Sequence, residues 1–523
     1  MATPRRAAAG ALGAVSALAR AGWRPERPDR LPRAMAALAV AGPTMAGAVA
    51  AATARYPMAS AMIDDDGAMS YARLWQESDG VARKLRSSGV GPRTTVGLLH
   101  RNHRGFVIGL VAAAKVGADI VYLNTGFAGP QLTDVVQHEG IEVLLHDDEY
   151  AGAVASTDVR LALGDTEMRT LGRQRSMVPF VPSRHVGRTV ILTSGTTGRP
   201  KGAQRSGTGS PDALTPLLST VPIRARDTVV VAAPLFHAWG LAHLGIGMGL
   251  SSTIVVQRQF DAEGTLALID AHRPAGLVVV PVMLQRIVGL GDETLARYDT
   301  SSLRYIASSG SALGASLVTA ALARFGPILY NIYGSTEVSL ATIATPDDLR
   351  AAPSTAGRLA AGSTVRILDD AGEPVPSGVV GRVFVGSGSR FEGYTGGGGK
   401  QDIGGLLSSG DVGHFDADGL LYIDGRDDDM IVSGGENVFP AEVEDLLAAH
   451  PDVAEAAVVG VPDEQFGQRL KAIIVRRPGS KLTAAQVKEH VRSHLARYKV
   501  PGTVQFVDAL PRTTTGKLRR RDL

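Results

Sequence analysis

Short apolar runs alternate with helix-like stretches along most of this 523-residue chain, and no other feature restricts its fold as strongly. The apolar runs have the length of buried strands, and the stretches between them carry helical spacing. Between residues 95 and 147 the order is strand, helix, strand, helix, strand, in the segments TVGLLHRN, RGFVIGLVAAAKVGA, DIVYLNT, PQLTDVVQHEG and IEVLLHD. Alternation of this kind predicts an α/β fold with parallel or mixed sheets flanked by helices.

The alternation of strands and helices recurs after residue 226, with the strand candidates DTVVVAAPLFH, STIVVQ, GLVVVPV and LRYIASSG. In α/β folds, ligands bind beyond the carboxyl ends of the strands. Polar or glycine-rich segments follow the apolar runs at TSGTTG, PLFHAWG, ASSGSAL and YNIYGSTE. We therefore expect these four segments to converge on one cleft.

The chain is longer than one hydrophobic core supports, so two or more folding units are expected. We predict, in chain order, a helical N-terminal arm at 1–54, a large α/β domain with a β subdomain at 55–426, and a small mobile α+β C-terminal domain at 427–523. In the last of these, Val487, Val491 and Leu495 recur every four residues, which is the spacing of one helix face.

Charge and cysteine content exclude several classes of protein. With 54 basic and 51 acidic residues the net charge is +3, which gives no indication of a nucleic-acid surface. The chain has no cysteine, which excludes disulfides, thiolate metal sites and a cysteine nucleophile and favours a cytoplasmic location.

The N-terminal arm differs in charge from the rest of the chain. Residues 1–33 carry seven arginines against Glu26 and Asp29, which leaves a local charge of +5. We expect a helical arm on the surface, with loose peripheral contact to a membrane as the alternative. Pro43 interrupts the long alanine-rich run, so no transmembrane segment is predicted.

The segment ILTSGTTGRPKGAQ, at residues 191–204, combines hydroxyl groups, glycines and one lysine directly after an apolar run. Hydroxyls donate hydrogen bonds to an anion, glycines let backbone N–H groups approach it, and Lys201 adds positive charge. A Walker loop would require glycine where Pro200 stands, which disfavours an ordinary P-loop NTPase. We predict a phosphate-binding loop formed by Thr193, Ser194, Gly195, Thr196, Thr197, Gly198 and Lys201, with a plain strand-to-loop turn as the alternative.

Five motifs follow one another along the chain: TSGTTGRPKG, YGSTE, SSGDVGHFDADG, GRDDDMIVSGGENVFPAEVE and PRTTTGKLRRRDL. In order and approximate spacing they resemble the adenylate-forming superfamily, which includes acyl-CoA synthetases, peptide-synthetase adenylation domains and luciferases. The resemblance extends from about residue 55 to the end and is greatest to fatty-acid acyl-CoA synthetases. It implies two steps: a carboxylate and ATP give an acyl-adenylate and pyrophosphate, and the acyl group then passes to a thiol.

The resemblance also implies where the nucleotide binds. In YGSTE, Glu337 would hold Mg²⁺ and Thr336 would contact phosphate. Tyr333 would lie against the adenine. The edge of the base would be lined by Gly310, Ser311 and Ala312. The phosphate-binding loop would hold the β- and γ-phosphates.

Residues nearer the C-terminus complete the implied site. Asp411 would accept hydrogen bonds from the ribose hydroxyls, and Arg426 would reach ribose or phosphate. Lys517 would contact the carboxylate and the α-phosphate during adenylation. Asp428 matches the hinge about which the C-terminal domain turns between the two steps, and Gly434 would then lie beside the incoming thiol.

The acid is indicated by the segment PLFHAWGLAHLGIGMGL. Amino-acid-activating relatives have an aspartate where this chain has His237, whereas fatty- and aryl-acid members commonly have histidine. The residues that follow carry no charged group, which predicts an apolar tunnel. We expect His237, Trp239 and Gly240 to line the acyl pocket, with His237 in a catalytic role, and a medium- or long-chain fatty acid as substrate.

Taken together, the motifs predict an AMP-forming fatty-acid:CoA ligase of lipid metabolism that requires ATP, Mg²⁺ and coenzyme A. Two alternatives stay open. One is a ligase that passes its adenylate to a carrier protein, and the other is a non-catalytic nucleotide-binding scaffold. The full set of ionisable residues disfavours the scaffold.

Overall fold

The computed structural model describes residues 16–17, 19–22, 29–127, 129–174, 176–193, 201–205, 211–387, 391–395, 397–427, 431–433, 436–463, 467–495, 499–513 and 516–523. The chain forms two compact units. The first unit comprises Met1–Ser308, Ser335–Ser339 and Ser387–Lys400, and the second comprises Ser309–Gly334, Leu340–Gly386 and Gln401–Leu523. The predicted boundaries at residues 54 and 426 stay predictions.

Helices of the first unit flank its sheets. They are α1 (Arg30–Ala41), α2 (Met45–Arg55), α3 (Tyr71–Ser87), α4 (Arg104–Val116), α5 (Gly129–His138), α6 (Ala151–Val154), α7 (Asp165–Arg173), α8 (Pro211–Thr220), α9 (Ala238–Gly249), α10 (Ala262–His272), α11 (Pro281–Val288) and α12 (Asp292–Leu295). The helices of the second unit are α13 (Ala315–Phe325), α14 (Pro346–Ala351), α15 (Pro440–Ala448) and α16 (Ala484–His494).

Strands are numbered in the same way. Those of the first unit are β1 (Ser60–Asp64), β2 (Gly67–Ser70), β3 (Thr95–Leu99), β4 (Asp119–Tyr122), β5 (Val143–His146), β6 (Leu161–Gly164), β7 (Thr189–Thr193), β8 (Lys201–Arg205), β9 (Thr228–Val231), β10 (Thr253–Val255), β11 (Gly276–Val279) and β12 (Tyr305–Ser309). The rest are β13 (Leu329–Ser335), β14 (Ser339–Ala344), β15 (Arg358–Leu359), β16 (Thr364–Leu368), β17 (Gly381–Gly386), β18 (Asp402–Ile403), β19 (Leu406–Phe415), β20 (Leu421–Arg426), β21 (Ile431–Ser433), β22 (Glu436–Val438), β23 (Val453–Asp463), β24 (Gly467–Arg476) and β25 (Thr503–Phe506).

One sheet of the first unit has the strand order β6–β5–β3–β4–β7–β8. All its neighbouring strands are parallel except β7 and β8, which are antiparallel. Val96 of β3 lies opposite Ile120 of β4 and Val143 of β5, so the strands are in close register. The predicted strand–helix alternation between residues 95 and 147 is confirmed.

The other strands of the first unit follow the order β12–β11–β9–β10–β1–β2. Their neighbours are parallel apart from the β1–β2 hairpin. The strands predicted after residue 226 are those named here as β9, β10, β11 and β12. Because β9 and β11 end at Val231 and Val279, the segments that follow them emerge at the same edge of the sheet.

The core of the six-stranded sheet comes from apolar side chains with helical and strand periodicity. Leu132, Val135 and Val136 of α5 pack with Val121 and Leu144 of the sheet. Helix α4 is buried on nearly every side, which explains why its sequence is apolar almost throughout. It begins after His103 and ends before Gly117, whose φ of 77° is readily adopted only by glycine.

The second unit contains two smaller sheets. In one, antiparallel strands run in the order β16–β17–β19–β18, with β20 paired to β19. The other has the order β22–β21–β24–β23, with β25 parallel to β24. Val487 and Val491 of α16 are buried in the core beside the sheet that contains β24, and Leu495 packs against that core. Their spacing predicts this shared face.

Helices α1 and α2 lie in or adjoin the segment 1–54 for which a helical arm is predicted, and one face of α2 is buried. Val49, Ala50 and Ala52 are buried within the first unit. A Cβ on Gly47 would lie 1.8 Å from the carbonyl oxygen of Gly42, so glycine allows the preceding segment to lie close against this helix. Contact of the arm with a membrane stays a prediction. Among the described residues, no helix is long and apolar enough to cross a membrane.

Candidate functional site

Three of the predicted nucleotide-binding side chains lie together in the second unit. The Tyr333 hydroxyl, on β13, donates to Asp411 Oδ2 at 2.5 Å. Arg426 Nη1 donates to Asp411 Oδ1 at 3.0 Å. Asp411 and Arg426 are direct cross-strand partners on β19 and β20, so sheet register places them side by side. Both carboxylate oxygens of Asp411 are therefore oriented by neighbouring side chains.

The protonation state of Tyr333 follows from its surroundings. Burial, followed by the negative charge of Asp411 and the hydrogen bond to it, raises the pKa of Tyr333 well above its usual value. The hydroxyl therefore stays a proton donor at neutral pH. It holds Asp411 in one orientation, which is what a carboxylate needs to select a diol such as ribose.

We expect Tyr333→Phe to raise the KM for ATP about tenfold. The change removes a hydrogen bond to a charged carboxylate, which is worth roughly 1.5–3 kcal/mol. Tyr330, on the same strand, is the matched control because its hydroxyl contacts no residue of this cluster in the described hydrogen-bond network, so Tyr330→Phe should leave the KM near wild type. Steady-state kinetics at varied ATP concentration measures both values, and equal KM values for the two variants would contradict this role.

Glu337 is placed in the turn between β13 and β14, and its side chain is buried in the first unit at 9% exposure. Ser335 Oγ donates to Oε2 at 2.9 Å, and the Tyr394 hydroxyl donates to Oε1 at 3.0 Å. Lys201 Nζ lies 5.4 Å from the centre of the Tyr394 ring, within range of a cation–π contact. Tyr394 thus contacts both the predicted metal ligand and the predicted phosphate-loop lysine.

Tyr394 belongs to the glycine-rich patch 393–400. The first residues of this patch are hydrogen-bonded to β8. Thr395 N donates to Gly202 O at 2.9 Å, and Gln204 N donates to Gly393 O at 3.1 Å. A Cβ on Gly202 would lie 2.6 Å from Thr395 Oγ1, so this close pairing requires glycine.

The predicted acyl-pocket residues lie at the start of α9. Trp239 Nε1 donates to Val279 O at 3.0 Å, which fixes the indole against the end of β11. A Cβ on Gly240 would lie 2.3 Å from Pro234 O, so the helix begins close against the preceding loop. His237, at the residue before the helix, donates its backbone N–H to Pro234 O at 3.2 Å.

Two residues that the motifs did not indicate support this region. Asn102 Nδ2 donates to Ala233 O at 3.0 Å, and its Oδ1 accepts from Leu235 N at 2.8 Å, which holds the loop before His237. The ring of His243 lies 4.2 Å from that of Trp239. Burial lowers the pKa of His243 to about 4, so this imidazole is neutral at pH 7. The position of Asn102 close to the carboxyl end of β3 was the sequence signal for it.

The remaining predicted residues are more dispersed. Thr336 lies in the same turn as Glu337, and Gly310, Ser311 and Ala312 follow β12. Lys517 is exposed; its N–H donates to Thr513 Oγ1 at 3.0 Å and its carbonyl accepts from Thr513 N at 2.7 Å, which closes a tight loop. Ser194, Gly195, Thr196, Thr197 and Gly198 of the phosphate loop, together with Asp428 and Gly434, lie outside the described residues, as does the side chain of Thr193.

The chain matches the AMP-binding enzyme family at residues 49–395 and the AMP-binding enzyme C-terminal domain at residues 442–517. It is 33% identical to an indoleacetate–CoA ligase of Aromatoleum aromaticum, with 87% of this chain and 92% of the relative covered. It is 30% identical to ScoC, a fatty acid–[acyl-carrier-protein] ligase of Streptomyces coeruleorubidus, with 89% and 93% covered.

Among solved structures, the anthranilate–CoA ligase AuaEII in complex with anthranoyl-AMP is similar, with a TM-score of 0.83 and 26% identity over 92% of this chain and 96% of that one. The α/β fold class, with a large N-terminal and a small C-terminal domain, is confirmed. So is the resemblance predicted from the five motifs. The chain belongs to the AMP-binding enzyme family.

Proposed function

We propose that this chain is an AMP-forming acid–thiol ligase that joins a carboxylic acid to coenzyme A through an acyl-adenylate. Its substrates are then the acid, ATP and coenzyme A, and its cofactor is Mg²⁺. The observation that carries the proposal is the buried Glu337 carboxylate, held by Ser335 and Tyr394 close to Lys201. It occurs in a chain similar over most of its length to acid–CoA ligases.

Glu337 fits the requirements of a magnesium ligand. Both of its oxygens accept hydrogen bonds only from neutral hydroxyl groups in the described contacts, so neither is neutralised by a cationic side chain there. Carboxylate oxygen is the ligand type that Mg²⁺ prefers, and the ion would neutralise charge on the phosphates of ATP. The two hydroxyl groups would orient the carboxylate toward the ion.

In the first step, an oxygen of the substrate carboxylate attacks the α-phosphorus of ATP, and pyrophosphate leaves. Asp411, oriented by Tyr333 and Arg426, would bind the ribose hydroxyls. Lys517 would contact the carboxylate and the α-phosphate, where negative charge must be held in place. The phosphate loop at residues 193–201 and Thr336 would bind the leaving pyrophosphate.

In the second step, the thiol of coenzyme A attacks the acyl carbonyl carbon and AMP leaves. We propose that the C-terminal domain, from residue 427, turns about Asp428 between the two steps. This rotation would remove Lys517 from the nucleotide and bring Gly434 beside the thiol, where a larger side chain would obstruct it.

For the acid, we propose an uncharged apolar chain, with a medium- or long-chain fatty acid as the first candidate. Helix α9 contains no acidic or basic residue other than His243, which is neutral at pH 7. An aryl acid is the second candidate. It is favoured by the Trp239 and His243 rings at the start of this helix and by the aromatic acids named for the relatives.

We expect ATP–pyrophosphate exchange with apolar carboxylic acids and none with free amino acids, because no carboxylate stands at His237 to pair with an ammonium group. The panel should pair each acid with its amino derivative, such as octanoate with 2-aminooctanoate and 3-phenylpropanoate with phenylalanine. The ratio of kcat/KM within a pair isolates the effect of the ammonium group on the exchange reaction. Exchange with an amino acid that matches its apolar partner would contradict the proposal.

The acceptor requires its own test, since ScoC is named as a ligase that loads a carrier protein. Preformed acyl-adenylate should be supplied with coenzyme A or with a phosphopantetheinylated carrier protein. Thioester formation with coenzyme A at low concentration supports the proposal, whereas transfer to the carrier protein alone would favour the carrier-loading alternative.

A further inference from the structure

Two histidines and two aspartates meet at one edge of the six-stranded sheet, and none of them has a role in the chemistry described above. His100, Asp147 and Asp165 directly follow β3, β5 and β6, and His103 directly precedes α4. These three strands are parallel neighbours, so their carboxyl ends lie side by side. All four side chains are buried, and one donor atom from each lies within 4.8 Å of those of the others.

Asp147 is oriented by donors on one side and faces the histidines on the other. Its Oδ2 accepts from the backbone N–H of Arg101 at 2.9 Å and forms an ion pair with Arg258 Nη2 at 3.1 Å. Its Oδ1 lies 2.8 Å from His100 Nδ1 and 2.5 Å from His103 Nε2. One oxygen of this carboxylate is thus anchored, and the other is presented to the cluster.

Asp165 repeats this arrangement. Its Oδ2 accepts from Arg169 Nε at 2.6 Å, whereas its buried Oδ1 has no hydrogen-bond partner among the described residues. A Cβ on Gly105 would lie 2.4 Å from Asp165 Oδ1 and 2.5 Å from His103 Cε1. Because glycine has no side chain, both groups can lie close against the backbone at this position.

A hydrogen-bond network alone does not account for the cluster. It satisfies Asp147, but it leaves Asp165 Oδ1 and His100 Nε2, both buried, without a partner among the described residues. Buried polar atoms in proteins are almost always paired, because an unpaired one has lost its water without replacement. A cation bound among the four side chains would give Asp165 Oδ1 a partner.

We propose that His100, His103, Asp147 and Asp165 form a structural site for a divalent transition-metal ion, with Zn²⁺ the best fit. Two imidazoles and two carboxylates suit zinc, which takes four nitrogen or oxygen ligands, whereas Mg²⁺ favours oxygen ligands and retained water. The arginines that anchor the outer carboxylate oxygens act as orienting partners. The ion would join the ends of β3, β5 and β6 to the start of α4. This inference is independent of the proposed ligase activity.

The test uses the full-length protein, stripped of metal by a chelator and then given Zn²⁺ in the absence of ATP. We expect one equivalent of zinc to remain after gel filtration, measured by elemental analysis, and the unfolding temperature to rise. Asp165→Asn removes a charged ligand, and Gly105→Ala places a methyl group against it. Each should weaken zinc binding at least about tenfold by calorimetry.

The matched control tests whether zinc binds at another site in the chain. His450, His490 and His494 have neighbouring rings in the second unit and offer zinc a different site. His490→Gln should leave the stoichiometry of one equivalent unchanged if the proposed cluster binds the ion. Loss of that equivalent in His490→Gln, and its retention in Asp165→Asn, would overturn the proposal.

A spectroscopic measurement on the wild-type protein avoids dependence on variants that fail to fold. Co²⁺ in place of Zn²⁺ should show the intense visible absorption of a four-coordinate ion, and added Zn²⁺ should abolish it. The weak spectrum of hydrated Co²⁺, together with the absence of retained zinc, would show that the cluster is a hydrogen-bond network only.

Discussion

Replacing Glu337 by glutamine is expected to slow adenylate formation by about a hundredfold or more while the acid still binds. Glutamine keeps the shape of the side chain, and the contacts from Ser335 and Tyr394 can be retained, but the charged metal ligand is lost. Exchange between pyrophosphate and ATP, measured across a range of Mg²⁺ concentrations, gives the rate. Equilibrium binding of the acid gives the second quantity.

The control for Glu337 is Glu142→Gln. Glu142 is an exposed carboxylate that pairs with Arg160 at 3.1 Å on the surface of the first unit, so the same chemical change is made where no role is proposed. It should leave exchange near the wild-type rate. Wild-type exchange by Glu337→Gln at ordinary Mg²⁺ concentration would show that this carboxylate does not hold the ion.

Replacing Lys517 by alanine is expected to reduce adenylation by roughly a hundred- to a thousandfold and to spare the thioester step. The substitution removes a charge-assisted contact to the α-phosphate and carboxylate, and in a closed site such a donor has an effect of this size. The hydrogen bonds that close its loop come from its backbone and Thr513, so alanine should preserve the loop. The two steps are measured separately, with acid and ATP or with preformed acyl-adenylate and coenzyme A.

Two further variants make the result for Lys517 specific. Arg519→Ala removes a nearby positive charge that pairs with Asp522 at 3.0 Å, and both steps should stay near wild type. Asp428→Pro restricts the proposed hinge and should impair thioester formation more than adenylation. Equal losses in both steps for Lys517→Ala would indicate that the lysine has a structural role and would remove the support for two domain positions.

The succession of strands and helices along the chain was predictable from the sequence, because the spacing of apolar residues within each segment indicates its secondary structure. The apolar residues of β3 and β5 and the nearly all-apolar α4 can be recognised within windows of a few residues. The buried position of α2 was not predictable in the same way. Its alanines and glycine are compatible with a surface helix and with a tightly packed one, so the composition of the helix does not decide between them.

The candidate site shows the same limit. The motifs indicated Tyr333, Asp411 and Arg426 separately, yet the hydrogen bonds among them depend on the pairing of β19 with β20 and on the position of β13. Tyr394 was missed because its contacts with Glu337 and Lys201 arise from the pairing of a glycine-rich segment with β8. Low complexity alone gave no indication of that pairing.

The cluster of His100, His103, Asp147 and Asp165 was missed for a related reason. Its members are separated by up to 65 residues, and they meet only because β3, β5 and β6 are neighbours in the sheet. A signal was present in the sequence, since three of the four directly follow a strand. It could be used only once the order of the strands was known.

The most direct test of the central claim is to follow the oxygen atoms of the substrate acid. An acid labelled with ¹⁸O in both carboxylate oxygens is incubated with ATP, Mg²⁺ and coenzyme A, and the products are analysed by mass spectrometry. If the carboxylate attacks the α-phosphorus and the thiol then displaces AMP, each AMP carries one ¹⁸O and pyrophosphate carries none. Release of ADP and ¹⁸O-labelled phosphate, or formation of the thioester with unlabelled AMP, would contradict the acyl-adenylate mechanism.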